Sequence, residues 1–266
     1  MSKLQVLIGC DPEMFLQQDG VFKSAYGLVE GDKETPFIVK DGAVQVDGMA
    51  LEFNTDPAAT EEEFVYNVNS VLSQLKEMVP EYRVLAVPVA TFDPDYMKAQ
   101  PKKATELGCT PDYNAYTHME NERPNGAVNF RTGAGHIHIG WTNKASIYSE
   151  DHLALCELVI KQMDVLLGIP SLLFDDSVQR RELYGKAGAY RPKSYGVEYR
   201  VLSNVWVGSA SLTSWVYRTT MKAMRELEAG NHIFEQVENV QHIINTSDVE
   251  AAKEICLKLG LEIPEV

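Results

Sequence analysis

Between residues 5 and 54, apolar and polar positions alternate in short runs separated by turn residues, the pattern of antiparallel strands. The spacing predicts strands over 5–9, 14–17, 21–25, 37–40, 43–47 and 50–54, with turns at Gln18-Asp19-Gly20, Asp41-Gly42 and Asp47-Gly48. The period then changes. Thr60 followed by Glu63 reads as a capping box, and Phe64, Val65, Val68, Val71, Leu72 and Leu75 recur at helical spacing, which predicts a helix to about Val79. A strand is expected over 82–91, and another over 130–142. Residues 93–125 are polar and unpatterned, and a stretch that long reads as a functional loop or lid. Ser149 caps an apolar repeat of Leu153, Leu155, Cys156, Val159, Ile160, Met163, Leu166 and Leu167, which Gly168 and Pro170 are expected to end. Residues 180–196, with three Arg, two Lys and four Gly or Pro breaks, read as a mobile basic loop. A strand over 197–202 and helices over about 209–229 and 247–259 complete an α+β chain, expected to form one domain over residues 1–266.

Four pairs of polar residues interrupt this pattern two positions apart: Asp11/Glu13, Glu52/Asn54, His136/His138 and Glu198/Arg200. Strand residues two apart face the same side, roughly 6 to 7 Å from each other at about 3.3 Å rise per residue. If these strands share a sheet, carboxylates and imidazoles converge on one face. Unpaired buried acids are costly, whereas oxygen and nitrogen ligands around a divalent cation satisfy one another. Each pair also has a plainer reading. Asp11-Pro12-Glu13 could be a solvent-facing turn, Glu52 could face water, with Asp47 as a neighbour in the same hairpin, and Glu198/Arg200 could be a structural ion pair. The run from Gly133 to Gly140 is the strongest signal. Its small residues admit a close ligand or backbone, and its two imidazoles on one face favour metal or phosphate contact. A cupin-like site would require a Glu soon after the His pair, and residues 139–143 contain none. Tyr190-Arg191-Pro192-Lys193, just before Glu198 and Arg200, adds cations suited to phosphate or carboxylate oxygens.

Composition narrows the options further. The chain has 266 residues and a formal net charge of −14, with no long run of Lys or Arg, so a nucleic-acid partner is not expected. Cys10, Cys109, Cys156 and Cys256 form no close pair, which fits a reducing cytoplasm. No stretch of about 20 apolar residues suggests a membrane span. Leu7-Ile8-Gly9-Cys10 resembles a lipoprotein box only superficially, because the apolar run before it is too short.

Taken in order, four motifs resemble the glutamine synthetase-like carboxylate-amine ligases (amidoligases), and most closely their phage-associated COOH·NH2 ligase type 2 branch. They are Gly9-x-Asp11-Pro12-Glu13-x-Phe15, Leu51-Glu52-Phe53-Asn54, Gly135-His136-Ile137-His138-Ile139-Gly140 and Val197-Glu198-Tyr199-Arg200, spread over about residues 5–210. The resemblance implies a glutamine synthetase-like catalytic domain, with a curved antiparallel sheet, helices on its convex face and the active site on the concave one. It implies an enzyme that uses ATP and Mg²⁺ or Mn²⁺ to phosphorylate a carboxylate, after which an amine displaces phosphate. By the same resemblance Glu13 and Glu52 would hold one metal, and Asp11, His136 and Glu198 the other. His138 would touch the ATP phosphates and Arg200 would steady the transferring phosphoryl group. Lys186, Arg191 and Lys193 would close over the nucleotide, Arg191 sharing in catalysis. Asp11 stands where glutamine synthetases carry Glu, and Glu52, with Asp47 nearby, stands where they supply two further glutamates. Their ammonium-site residues have no counterpart, which implies a larger amine. A metal-dependent hydrolase and a non-catalytic binding module are the rival readings. The carboxylate and amine substrates are not legible, and a homo-oligomer is compatible with the reading.

Overall fold

Strand β1 (Leu7–Gln18) runs through the centre of an 11-stranded antiparallel sheet and pairs with four others along its length. The computed structural model describes residues 5–106, 112–122, 128–142 and 144–263, so Cys109 and parts of the expected 93–125 loop lie outside the described residues. After β1 come β2 (Val21–Lys23), β3 (Phe37–Val39), β4 (Gly42–Asp47), β5 (Ala50–Thr55) and helix α1 (Glu61–Met78). Short elements follow: β6 (Arg83–Leu85), β7 (Val89–Thr91), α2 (Pro94–Lys98), α3 (Lys102–Thr105), β8 (Tyr113–Asn114), β9 (Met119–Glu120) and β10 (Phe130–Thr132). The remainder is β11 (Gly135–Gly140), α4 (Glu150–Met163), α5 (Ile169–Ser171), α6 (Val178–Leu183), β12 (Ala189–Lys193), β13 (Gly196–Tyr199), α7 (Ala210–Glu228), α8 (Val240–Thr246) and α9 (Val249–Leu259). The main path of the sheet is β3-β4-β5-β1-β11-β13-β12-β8-β9.

Register decides which side chains share a face. Asp11 lies opposite His136, Gly9 opposite His138, His138 opposite Glu198 and Glu198 opposite Arg191, while Glu13 lies opposite Glu52 and Glu52 opposite Gln45. Residues directly opposed on antiparallel strands project to the same side, so all of these polar groups meet on one face. The alternate positions, Ile8, Cys10, Ile137, Ile139, Val197 and Tyr199, are buried on the other. Helix α1 lies on β4 and β5, α4 lies on β12 and β13, and α7 packs against both helices. Thr60 accepts from the Glu63 N–H at 3.2 Å, as the capping signature implied, while Glu63 reaches back one residue further than a capping box would, to the Ala59 N–H. The helix buries Phe64, Val68, Val71, Leu72 and Leu75, each contributing about 1.5–3 kcal/mol of transfer free energy. Among the described residues no helix is long and apolar enough to cross a membrane.

Several expectations are corrected. The two strands expected at 5–9 and 14–17 are one, because Pro12 falls at the last β11 register position and Glu13 carries the pairing on by donating to Ala134 O. The strand expected over 82–91 is two, divided before Pro88, with β6 on β1 and β7 on β10. The 130–142 strand likewise divides at Gly133 between two sheets. Gly168 and Pro170 do not end the fourth helix. A π-helical turn over Asp164–Gly168 carries it into α5, the Ile169 N–H bonding five residues back to Asp164 O. Residues 93–105 contain α2, started by Asp93 with Pro94 in the first turn, and α3, both too short for a periodicity to be visible.

The basic loop expected over 180–196 is built structure. Arg180 and Arg181 are buried on α6, and Arg191 and Lys193 belong to β12. Arg180 donates from Nε to Gly133 O at 3.2 Å, and from its two terminal nitrogens to Val201 O and Leu202 O at 2.7 Å each. It thereby pins the chain before β11 to the chain after β13. Gly185 makes room for it: at φ +76 a Cβ there would lie 1.9 Å from Arg180 Nη1.

Behind the sheet, the wholly buried Asp164 accepts from Tyr199 Oη (2.9 Å), Tyr116 Oη (3.0 Å) and Gly188 N (2.7 Å). Burial pushes its pKa up to about 7 against those donors. A folded pKa above the unfolded value of about 3.9 means that the native state binds the extra proton between the two. The stabilisation is therefore full at the acid end and lost as pH rises toward 7. Relative to Asp164→Asn, the wild-type protein is expected to lose about 3 kcal/mol of stability between pH 4.5 and 7. Urea denaturation at the two pH values measures this, and equal pH dependence in both proteins would contradict it.

Candidate active site

Three residues from three adjacent strands define the centre. Asp11 on β1, His136 on β11 and Glu198 on β13 each offer a ligand atom, all within 4.8 Å of one another. His136 Nδ1 lies 3.3 Å from Asp11 Oδ1 and 3.5 Å from Glu198 Oε1. Arg200 Nη1 lies 3.3 Å from the same Nδ1, so this ring nitrogen stands at the meeting point of the two acids and the guanidinium. Burial, with the neighbouring Arg200, pushes the His136 pKa down to about 4, leaving the ring neutral at neutral pH. Asp11 Oδ1 is buried and makes no hydrogen bond, although His138 Nε2 stands 3.1 Å away. Burial opposes ionisation of Asp11, but His138 and His136 outweigh it and hold the carboxyl well below its usual range. Glu198 is wholly buried and met by Lys193 Nζ at 2.8 Å, Arg191 Nη1 at 3.3 Å and Arg200 Nη1. Burial would raise its pKa, yet Arg200, with His138 and His136, holds it low. Two carboxylates and a neutral imidazole are a donor set for a divalent cation with a preference for oxygen.

A second acidic position lies next to it. Glu13 Oε2 accepts from the Ala134 N–H at 3.0 Å, and Glu52 Oε2 from Gln45 Nε2 at 2.8 Å. Burial, with Asp47, pushes Glu13 up to about 7, and burial, with Asp11, Asp47 and Glu13, raises Glu52 well above the carboxylate range. Asp47 is engaged by Lys33 Nζ at 2.7 Å.

The polar face opens into two joined compartments. The smaller, about 290 Å³, is lined by Asp11, Glu13, Glu52, Arg131, Tyr184 and Arg200 among others. The larger, about 880 Å³, is more apolar and is lined by His138, Trp141, Tyr195, Pro36, Pro57 and Leu7 among others. Asp11, Glu52, Gln45 and Lys33 border both. His138 is held by a Tyr195 Oη contact on Nδ1. Nine of the ten candidate residues named from sequence line these compartments or touch one that does. Lys186 is exposed and lines neither, because it sits in the turn before β12 rather than on the strand.

Sequence reasoning missed Lys33, Gln45, Arg131, Tyr184, Tyr195 and Asp112. Gln45 shares the period-2 face of β4 and could have been found that way; the others sit singly in turns or short elements and carry no periodic signal. Asp112 matters through Arg200, whose Nε donates to Asp112 Oδ2 at 3.1 Å, while Asn121 fixes the other carboxylate oxygen at 3.0 Å. Asp112→Asn is expected to lower turnover by roughly 10- to 100-fold by loosening Arg200. The KM values are expected to change less, and steady-state kinetics with Asp112→Glu as rescue checks this.

The site therefore consists of a carboxylate-imidazole cluster with convergent cations above a sheet. The chain belongs to the phage phiEco32-like COOH.NH2 ligase-type 2 family, whose family model matches residues 125–265. That family is named for ligases that join a carboxylate to an amine. His136, His138, Arg191, Lys193, Glu198 and Arg200 fall inside the matched stretch, and β1 and β5 bring Asp11, Glu13 and Glu52 to it from outside. A sequence search of curated proteins finds no match. Among solved structures, a bifunctional glutathione synthetase from Pasteurella multocida is similar at TM-score 0.49 and 12% identity, covering 97% of this chain and 45% of that one. The chain thus spans less than half the length of that protein.

Proposed function

We propose that this protein is an ATP-dependent carboxylate-amine ligase with a glutamine synthetase-like catalytic fold, forming an amide through an acyl-phosphate. The observation that carries the reading is the Asp11–His136–Glu198 cluster with Arg191, Lys193 and Arg200 converging on its buried carboxylate. The cluster fits Mg²⁺ or Mn²⁺, which when bound would neutralise and orient phosphate oxygens. In this reading the nucleoside end of ATP occupies the larger compartment against Trp141, Tyr195 and Pro57, with its phosphates toward His138. The carboxylate substrate enters the smaller polar compartment. One of its oxygens attacks the γ-phosphorus and ADP leaves; the amine nitrogen then attacks the acyl carbon, sheds a proton, and phosphate leaves with the carboxylate oxygen. Arg200, tethered by Asp112, is placed to steady the transferring group, and Arg191 and Lys193 to hold its oxygens.

Hydroxylamine can stand in for the amine while a panel of carboxylates is screened with Mg-ATP. A productive carboxylate is expected to yield hydroxamate and ADP in equal amounts. ATP consumption that never yields hydroxamate, whatever the acid, would contradict the proposal.

A further inference from the structure

The family resemblance implies two metal positions, yet the described residues hold only one group of three ligands within 4.8 Å, the Asp11–His136–Glu198 cluster. The second position is furnished differently. Lys33 reaches it from the segment between β2 and β3, and that segment is shaped for the purpose. Gly31, at φ +95, passes so close to β4 that a Cβ would lie 2.6 Å from Val44 O, and Val46 N bonds back to Gly31 O at 3.3 Å. Asp32 Oδ1 then accepts from Glu34 N (2.9 Å), Thr35 N (2.8 Å) and Thr35 Oγ1 (3.0 Å), fixing the turn that presents the next side chain. Lys33 Nζ lies 2.7 Å from Asp47 Oδ2 and borders both compartments at their junction.

The three neighbouring acids are already committed. Glu13 accepts from a backbone N–H, Glu52 from an amide and Asp47 from the ammonium, and the three acids do not form a ligand group within 4.8 Å among the described residues. Burial would lower the Lys33 pKa, but Asp47, with Glu52 and Glu13 beyond it, raises it above the ordinary value, so the charge is kept. A lysine ammonium is a compact charge with three donors, able to offset clustered carboxylates and to meet an incoming anionic oxygen without the six or more ligands that a hard divalent ion takes.

We propose that this chain holds one resident divalent cation, at Asp11, His136 and Glu198, and that the Lys33 ammonium takes the second cation position beside Glu13, Glu52 and Asp47. The inference rests on the ligase reading of the first cluster. Loss of Lys33 would then remove the ammonium nearest Asp47, Glu13 and Glu52 and leave that position open to a metal ion.

Mn²⁺ titration in the absence of nucleotide, followed by calorimetry and by electron paramagnetic resonance of the free ion, counts the sites. The wild-type protein is expected to bind one Mn²⁺ per chain, Lys33→Arg one, Lys33→Met two with the second weaker, and Glu198→Gln none at the first position. Two ions in the wild type, or one in Lys33→Met, would overturn the proposal while leaving the first cluster intact. No ion in the wild type would remove the cluster reading, and this inference with it.

Discussion

Glu198→Gln is expected to abolish ligase turnover, with a fall of at least about 10³-fold. A cation worth several kcal/mol of charge stabilisation loses a ligand, and each 1.36 kcal/mol is a factor of ten. The change is close to isosteric, so packing is preserved, but its electrical consequence is large. In the wild type one buried carboxylate is contacted by Lys193, Arg191, Arg200 and His136. Neutralising it leaves those three cations facing one another without their common partner. Divalent-ion affinity is therefore expected to fall together with turnover, while circular dichroism reports a folded protein. His136→Gln serves as the companion variant, removing the nitrogen ligand and keeping the carboxylate that the cations need. Turnover within tenfold of wild type in both would mean that the cluster is not where the chemistry occurs.

Arg180→Met is the substitution expected to damage the fold most. Burial pushes the Arg180 pKa down to about 10, so removing the charge relieves some desolvation. That gain is outweighed, because the partners are the backbone carbonyls of Gly133, Val201 and Leu202, which stay behind whatever replaces the side chain. Gly133 O keeps the Asn204 N–H and Leu202 O keeps the Gly135 N–H, so Val201 O is the carbonyl left bare; with three charge-assisted bonds lost, the expected cost is on the order of 3–6 kcal/mol against a total stability of roughly 5–15. The two segments released flank His136 and Glu198, so divalent-ion affinity is expected to drop as well. Urea denaturation measures the effect, and a change below about 1 kcal/mol would show that the backbone bonds already made by Gly133 O and Leu202 O hold the two segments without Arg180.

The period-2 polar pairs were legible in the sequence because alternation alone fixes which side chains share a face of one strand. Which strands stand side by side was not. Asp11 and His136 face each other only because β1 pairs with β11, a long-range register that no local pattern encodes. Arg180, Arg181 and their neighbours read as a mobile basic loop because composition counts charges and cannot see the carbonyls that receive them. The π-helical turn at Asp164–Gly168 hid in the same way: glycine and proline signal a stop only where the ladder is regular. Lys33 and Asp112 are single polar residues in turns, and it is tertiary placement that gives them partners.

The most direct test of the central claim is pulsed electron paramagnetic resonance on Mn²⁺-loaded protein, before and after ATP is added. Coupling to one histidine nitrogen is expected, absent in His136→Gln, with new coupling to phosphorus when ATP binds. A bound ion showing no nitrogen coupling, or none to phosphorus with ATP present, would contradict a metal held by Asp11, His136 and Glu198 at the site of phosphoryl transfer.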